Sequence, residues 1–247
     1  MQHGRSGSEA RRRSRWLTGA ILLLAAGGTT AAFRPDESPS VPPSIREQQP
    51  ITQYRAYRRM HARSDRFNQE AWLEAWTELD GRTFTYTIVS EKGSDYIRNK
   101  VLKAVLRREQ ELVADGECSR SELTPENYTF QDDASAVDGE RYVTLKPKRK
   151  DVLLVDGRMV LTQDGTELLR VEGKLSKNPS FWTSLVNIIR HYARIDGVRV
   201  PISTESIAKV KFAGTSHLEV HYQYETINGR PVSMAARRAM PPPVNLR

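Results

Sequence analysis

Three polar residues near the C-terminal end, His217, Glu219 and His221, have the types and spacing that come closest to a metal site. In a β-strand they would share one face, where two imidazoles and a carboxylate could bind zinc. Leu218 and Val220 would then occupy the opposite face, which we expect to be the buried one. The alternation therefore favours a solvated outer face over a metal site, and we predict no cofactor.

Two further patterns have residue types that could support catalysis. Ser206 and Lys209 match the Ser-x-x-Lys of serine penicillin-binding enzymes, but the sequence lacks the Ser-Asp-Asn and Lys-Thr-Gly partners of that site. Cys118 has no evident base partner, and as the single cysteine it excludes an internal disulfide. We therefore predict that the protein is not an enzyme.

The net charge of +8 belongs to the two ends of the chain. Residues 1–32 and 227–247 each carry a net charge of +4, whereas residues 33–226 contain 29 basic and 29 acidic residues. A folded nucleic-acid-binding domain usually carries its positive charge on the folded surface. The charge distribution therefore predicts no nucleic-acid partner.

Residues 1–32 are predicted to be a signal peptide or an N-terminal anchor. An arginine-rich start is followed by an apolar run from Leu17 to Gly27 and by small residues up to Ala32. The alternative to cleavage is a retained tether in the inner membrane through residues 16–33, close to the minimum of ~17 residues for a spanning helix. Both interpretations predict an exported protein of the periplasm or cell envelope.

The rest of the chain divides by composition. Residues 33–50 contain five of the 13 prolines and predict a linker that forms no core. Residues 233–247 predict a disordered tail. Residues 51–232 remain as one folded domain.

The first half of this domain predicts two helices around one strand. Apolar residues over 52–80 recur mostly at three- and four-residue steps, with Trp72 and Trp76 four apart, which predicts a helix. Residues 82–89 alternate as a strand does. Ser94 or Asp95 can cap a second helix that extends to about Val113.

After Gly116 the apolar period changes from 3.6 to 2, which predicts an antiparallel meander. Asp-Gly pairs between apolar runs predict turns at residues 156–157, 164–165 and 196–197. Strands are predicted from residue 128, over 140–145, 151–155, 158–162 and 166–175, and around 198–200, 208–212 and 218–224. The apolar spacing of residues 181–194 also fits a helix, but their β-branched residues favour a strand.

The predicted fold class is α+β: a curved antiparallel β-sheet, an incomplete β-barrel, covered by two long helices. A sheet of this size curls, and helices laid across it need not fill the concavity. The apolar strand face then offers ligand-cavity candidates, or in the alternative interpretation a close-packed core. These candidates are Phe84, Tyr86, Ile88, Tyr142, Trp182, Val186, Ile188, Tyr222 and Tyr224.

The element order resembles the LolA-like superfamily of exported proteins, which includes lipoprotein carriers and RseB-type envelope sensors. Three stretches carry the resemblance: residues 142–147 (YVTLKP), residues 178–182 (NPSFW), and residues 197–201 (GVRVP) leading to Gly214 and residues 221–224 (HYQY). The resemblance implies an incomplete barrel with an apolar cavity. It also implies acyl chains of lipoproteins, or apolar peptides, as partners.

Two functions are compatible with these observations. One is a noncatalytic cell-envelope protein that binds lipidated or apolar ligands, as a lipoprotein carrier or as a sensor. The other is a tethered structural or protein-interaction module whose sheet is fully packed and holds no ligand.

Overall fold

The computed structural model describes Pro42, Ile45 and residues 49–137, 139–211 and 214–239; the side chains of residues 134–137 and 237–239 are not described. The predicted signal segment, most of the predicted linker and residues 240–247 lie outside the described residues. The described chain is mostly β and forms one open antiparallel sheet in the strand order β3-β2-β1-β10-β9-β8-β7-β6-β5-β4, with β11 beside β10.

The strands are β1 Gln53–Ser64, β2 Gln69–Asp80, β3 Thr83–Gly93, β4 Tyr128–Val137, β5 Glu140–Pro147, β6 Val155–Thr162, β7 Leu168–Leu175, β8 Thr183–Ile195, β9 Val198–Val210, β10 Gly214–Ile227 and β11 Arg230–Pro231. Turns at Gly165 and Gly197, both with positive φ, follow β6 and β8 as predicted.

The prediction of a helix over residues 52–80 is wrong. This segment forms the hairpin of β1 and β2, and β1 also pairs along its length with β10. The inner side of β2 carries Leu73 and Ala75, and its outer side carries Trp72 and Trp76. Because large apolar residues lie on both sides, the period of 2 is masked and helical spacings arise by coincidence.

The prediction of two long helices is therefore also wrong, since the described residues contain one helix of 20 residues. This helix, α1, comprises Asp95–Ile97, a π-helical stretch Arg98–Leu102, and Lys103–Ala114. Asp95 supplies a negative charge to its first turn. At its C-terminal end Gly116 has φ +70 and donates its backbone N–H to the Val113 carbonyl at 3.1 Å. A short helix α2, Met234–Ala239, follows β11.

Residues 156–157 do not form the predicted turn, because β6 continues through them. Gly157 lies directly opposite Gly173 of β7. A Cβ at Gly157 would stand 2.1 Å from the carbonyl oxygen of Glu172 and 2.6 Å from the Cα of Gly173. Glycine is therefore needed here for close approach of two backbones. The predicted strand over 151–155 is likewise replaced by a loop that leads into β6 at Val155.

The core consists of three apolar clusters. Cluster 1 joins α1 to β1, β2, β3, β9 and β10, and it includes Met60, Leu73, Leu102, Leu106 and Val220. Cluster 2 comprises Tyr128, Phe130, Val143, Leu145, Leu154, Val155, Met159, Leu161, Leu168 and Val171. Cluster 3 comprises Leu112, Leu153, Leu175, Val186 and Ile188.

Candidate functional site

Strand residues of all three clusters, among them Met60 of cluster 1, Val171 of cluster 2 and Val186 of cluster 3, lie on one side of the sheet, called here the inner face. Direct cross-strand neighbours share a side of a sheet. One such row crosses seven strands, from β1 to β5, through Met60, Val220, Thr204, Arg190, Val171, Met159 and Val143. The inner face is therefore continuous from cluster 1 to cluster 2.

Helix α1 covers only part of this face. Ile97, Leu102, Val105, Leu106 and Val113 of α1 belong to cluster 1, and Leu112 belongs to cluster 3. Among the described residues, cluster 2 contains no residue of α1; its partly buried neighbours are Ile45, Leu123 and Tyr192. The apolar inner face is therefore wider than the helix that lies on it.

A buried ion pair joins α1 to the sheet. Arg58 of β1 and Glu109 of α1 are 1% and 3% exposed. Arg58 donates from Nη1 to Oε2 of Glu109 and from Nη2 to Oε1, the latter at 2.9 Å, which makes the pair bidentate. The Tyr54 hydroxyl accepts from Nη2 of Arg58 at 2.5 Å and donates to Oε1 of Glu109 at 3.2 Å. These three residues form a polar centre inside cluster 1.

Aromatic rings surround the Arg58 guanidinium. It lies 4.8 Å from the ring centroid of Tyr222 and 5.2 Å from that of Phe84. Tyr222 and Tyr224 are stacked with centroids 6.3 Å apart, and the Tyr224 hydroxyl donates to the Pro201 carbonyl at 3.0 Å.

Burial and charge set the protonation of this centre. Desolvation raises the pKa of Tyr54 and of Tyr224 well above the usual value, so both phenols stay neutral. Burial by itself lowers the pKa of Arg58, but the attraction and hydrogen bonding of Glu109, together with the neighbouring Tyr54 and Tyr222, outweigh it and hold that pKa above its usual value. The centre is thus an ion pair among neutral phenols.

A second buried arginine lies farther along the inner face. Arg190 of β8 is 3% exposed and donates from Nε to the Thr204 hydroxyl of β9 at 3.2 Å. On β9, where Arg199 lies opposite Arg194, burial lowers the pKa of Arg199 to about 10. Arg58 and Arg190 therefore place two guanidinium groups beside apolar residues of the inner face.

The nine predicted cavity residues fall into separate groups. Phe84, Tyr86, Ile88, Tyr222 and Tyr224 lie in or against cluster 1, and Val186 and Ile188 belong to cluster 3. Tyr142 lies outside these clusters, under the guanidinium of Arg158, and its hydroxyl donates to Glu140 at 3.2 Å. Trp182 packs edge-to-face on Phe181 just before β8. The structure thus brings seven of the nine to the inner face beside α1.

The sequence analysis missed Arg58, Glu109 and Tyr54. The signal was present in β1, where Tyr54, Ala56, Arg58, Met60 and Ala62 alternate and are all buried. An arginine within an apolar alternation indicates a buried charge that needs an acidic partner. The helix predicted over these residues concealed the alternation.

The other residues that the sequence offered for metal binding or catalysis do not come together as a site among the described residues. His217 lies opposite Arg63 of β1 and contacts Asp65 through Nε2 at 3.1 Å. Ser206 is buried on the inner face, and Lys209, three residues along β9, is on the opposite side. Within the described part of the chain, no group of three or more His, Cys, Asp or Glu residues is placed to hold a metal ion.

Cys118 lies in a 3₁₀ turn, Cys118–Ser121, and donates to the Leu112 carbonyl at 3.7 Å. Burial raises the pKa of its thiol to about 11, and the carboxylates of Glu109 and Glu122 act in the same direction. The thiol is therefore protonated at neutral pH. Among the described residues, no helix is long and apolar enough to cross a membrane.

No protein-family model matches the sequence, and no curated protein matches it significantly. The structure is similar to that of a LolA superfamily protein from Nitrosomonas europaea, with 13% identity and a TM-score of 0.34 over 73% of this chain and 92% of that chain. It is also similar to a DUF1329 family protein from Desulfovibrio piger, with 10% identity and a TM-score of 0.31 over 70% of this chain and 84% of that chain. The first of these two proteins belongs to the superfamily that the sequence resembles.

Proposed function

We propose that this chain is a noncatalytic, exported cell-envelope protein that binds lipidated or apolar ligands on the inner face of its sheet. The observation that carries the proposal is the mismatch between that face and its cover. Apolar residues lie on this face from β1 to β5. Helix α1 contributes side chains to clusters 1 and 3, whereas among the described residues it contributes none to cluster 2. The side chains of cluster 2 are 0–4% exposed, so an apolar ligand would bind there by replacing the residues that cover them and would keep this surface out of water.

The attachment of α1 supports this proposal. A buried ion pair has a large desolvation cost that offsets most of its Coulombic attraction. When both ions become hydrated, the free-energy cost of separating Arg58 from Glu109 is therefore much smaller than their Coulombic attraction. Movement of α1 away from the sheet would admit a ligand without breaking a strand pair.

A second candidate function is the tethered structural or interaction module with a fully packed sheet. The burial of five predicted cavity residues favours this second function, because side chains packed in the core leave no space for a ligand. These residues are Phe84, Val186, Ile188, Tyr222 and Tyr224. In this candidate function α1 is a permanent cover and the inner face holds no ligand.

Mass spectrometry of organic extracts separates the two. The full chain, exported and purified without detergent, is extracted and compared with an unrelated exported protein of similar size that is handled identically. The proposal predicts lipid or apolar peptide at a fixed stoichiometry, and saturable micromolar binding of cis-parinaric acid after delipidation. Absence of both results would contradict the ligand proposal and favour the packed module.

A further inference from the structure

The predicted linker contributes to the folded domain. Ile45 packs against cluster 2, the part of the inner face to which α1 contributes no residue among those described. Pro42 is buried, and its carbonyl accepts a hydrogen bond from the Ile45 backbone N–H at 2.9 Å. Two residues within the predicted linker are therefore withdrawn from solvent.

The domain holds the chain on the C-terminal side of this contact. Ile51 is buried in cluster 1, and the Pro50 carbonyl accepts from Nδ2 of Asn228 at 3.0 Å. Five residues lie between Ile45 and Ile51, and the six residue steps give a maximum reach of ~20 Å. Four inter-strand steps, the separation of β1 from β7, amount to ~19 Å. The chain between Ile51 and Ile45 is therefore long enough to connect the first strand with cluster 2.

We propose that the segment bearing Pro42 and Ile45 is an intramolecular occupant of the apolar surface of cluster 2, and that a ligand of the inner face must displace it. This inference rests on the proposed function for the competing ligand, but the contact itself can be tested without one. The occupant also defines the chemistry that this surface accepts, namely an aliphatic side chain carried on a turn of the polypeptide. Because displacement reduces the apparent affinity by the fraction of molecules in the open state, the segment sets a threshold for binding.

The test compares full-length variants. Ile45→Asp places a carboxylate against cluster 2 and should release the segment, whereas Ile45→Leu should keep it in place. Ile207→Asp is the matched control, because Ile207 is 42% exposed on the outer side of β9. Circular dichroism and thermal melting establish that each variant is folded, and Ile45→Ala replaces Ile45→Asp if the latter does not fold.

Two readouts separate this inference from the proposed function. The fluorescence of 1-anilinonaphthalene-8-sulfonate should rise for Ile45→Asp and stay at the wild-type level for Ile45→Leu and Ile207→Asp. The dissociation constant of cis-parinaric acid should fall about fivefold in Ile45→Asp, since the competing segment is removed.

The outcomes are distinct. If the fluorescence of 1-anilinonaphthalene-8-sulfonate with Ile45→Asp equals that with the wild type, the inference is overturned, whatever the dissociation constant of cis-parinaric acid. A fluorescence rise without saturable parinaric acid binding in any variant would retain the intramolecular occupant and reject the proposed ligand. Weaker parinaric acid binding in Ile45→Asp would show that the segment forms part of the ligand site, which contradicts competition.

Discussion

The guanidinium of Arg58 on β1 and the carboxylate of Glu109 on α1 form a bidentate ion pair 51 residues apart in sequence and almost fully shielded from water. Nε of Arg58 is buried without a hydrogen-bond partner, so this pair is not fully satisfied. Because the pair joins α1 to β1, any movement of the helix away from the sheet would separate these two buried charges.

Removing one member of the pair should destabilise the fold strongly. Glu109→Gln leaves Arg58 charged and uncompensated in cluster 1, and we expect a loss of about 3–5 kcal/mol in the free energy of unfolding. The double variant Arg58→Met/Glu109→Leu should lie within about 2 kcal/mol of the wild type. Urea unfolding measures both.

The matched control for this pair is Arg55→Ala on the same strand. Arg55 contacts Glu78 and Glu225 from a side chain that is about half exposed, so its removal should cost less than about 1 kcal/mol. Equal losses of unfolding free energy for Arg55→Ala and Glu109→Gln would show that breaking the buried ion pair costs no more than breaking an exposed one.

Two carboxylates introduced on the inner face should have different effects. Val220 is fully buried in cluster 1, so Val220→Glu should cost several kcal/mol of stability. Val186 of cluster 3 is also buried, but it lies opposite Ala208, which is partly exposed, so under the ligand proposal a carboxylate at Val186→Glu reaches water at the edge of the cluster. We expect Val186→Glu to stay folded and to lose cis-parinaric acid binding, as followed by fluorescence titration and thermal melting. Unfolding by both substitutions would favour the packed module.

The carboxylate of Asp151 should make the protein sensitive to acid. Burial acts to raise the pKa of Asp151, but hydrogen bonds from Arg120, the Leu153 backbone N–H and Arg149 outweigh it, and the pKa is lowered. A lowered pKa in the folded state means that the stabilisation is present above the unfolded-state value of about 3.9 and is lost as the pH falls through the folded-state value.

Asp151→Asn should therefore reduce stability by about 2 kcal/mol at pH 7. It should also flatten the fall of stability between about pH 4 and pH 2. Urea unfolding across this range gives the comparison, with Asp132→Asn as the control, because Asp132 pairs with Arg141 at an exposed site. A slope in Asp151→Asn equal to that of the wild type would exclude Asp151 as the cause.

Alkylation of Cys118 should be slow in the folded protein. Its pKa is about 11 because of burial, so the thiolate fraction at pH 8 should be at least about 100-fold lower than in an unfolded chain with a thiol pKa near 8.5. Iodoacetamide labelling followed by intact mass should therefore be slow at pH 8 and accelerate in urea. Equal rates with and without urea would contradict the buried placement.

Gly157→Ala should destabilise the pairing of β6 with β7. The added Cβ would meet the backbone of Glu172 and Gly173, which cannot move aside without separating the strands. We expect a loss of about 2–3 kcal/mol in urea unfolding. A neutral effect would mean that the two strands are farther apart than the structure places them.

The sequence by itself determined those segments of the fold in which several local patterns indicate the same backbone conformation. Residues 94–113 have an acidic first turn, a helical apolar face and a following Gly116, and they form α1. The Asp-Gly pairs at residues 164–165 and 196–197 lie between alternating runs, and they form turns of the meander. In these segments the backbone conformation is decided by neighbours in sequence, so a single sequence contains the information.

Only the tertiary structure decided the conformation of residues 53–80. Their apolar residues fit both periods, and pairing of β1 with β10, more than 150 residues away, selects the strand. The same pairing turns Arg58 inward, where Glu109 of a separate element neutralises it, and it places Trp72 and Trp76 on the outer face. At residues 156–157 close approach of β7 likewise converts a turn signal into a strand. Contacts of this kind depend on the whole sheet, because a strand acquires its buried face only when its partners are in place.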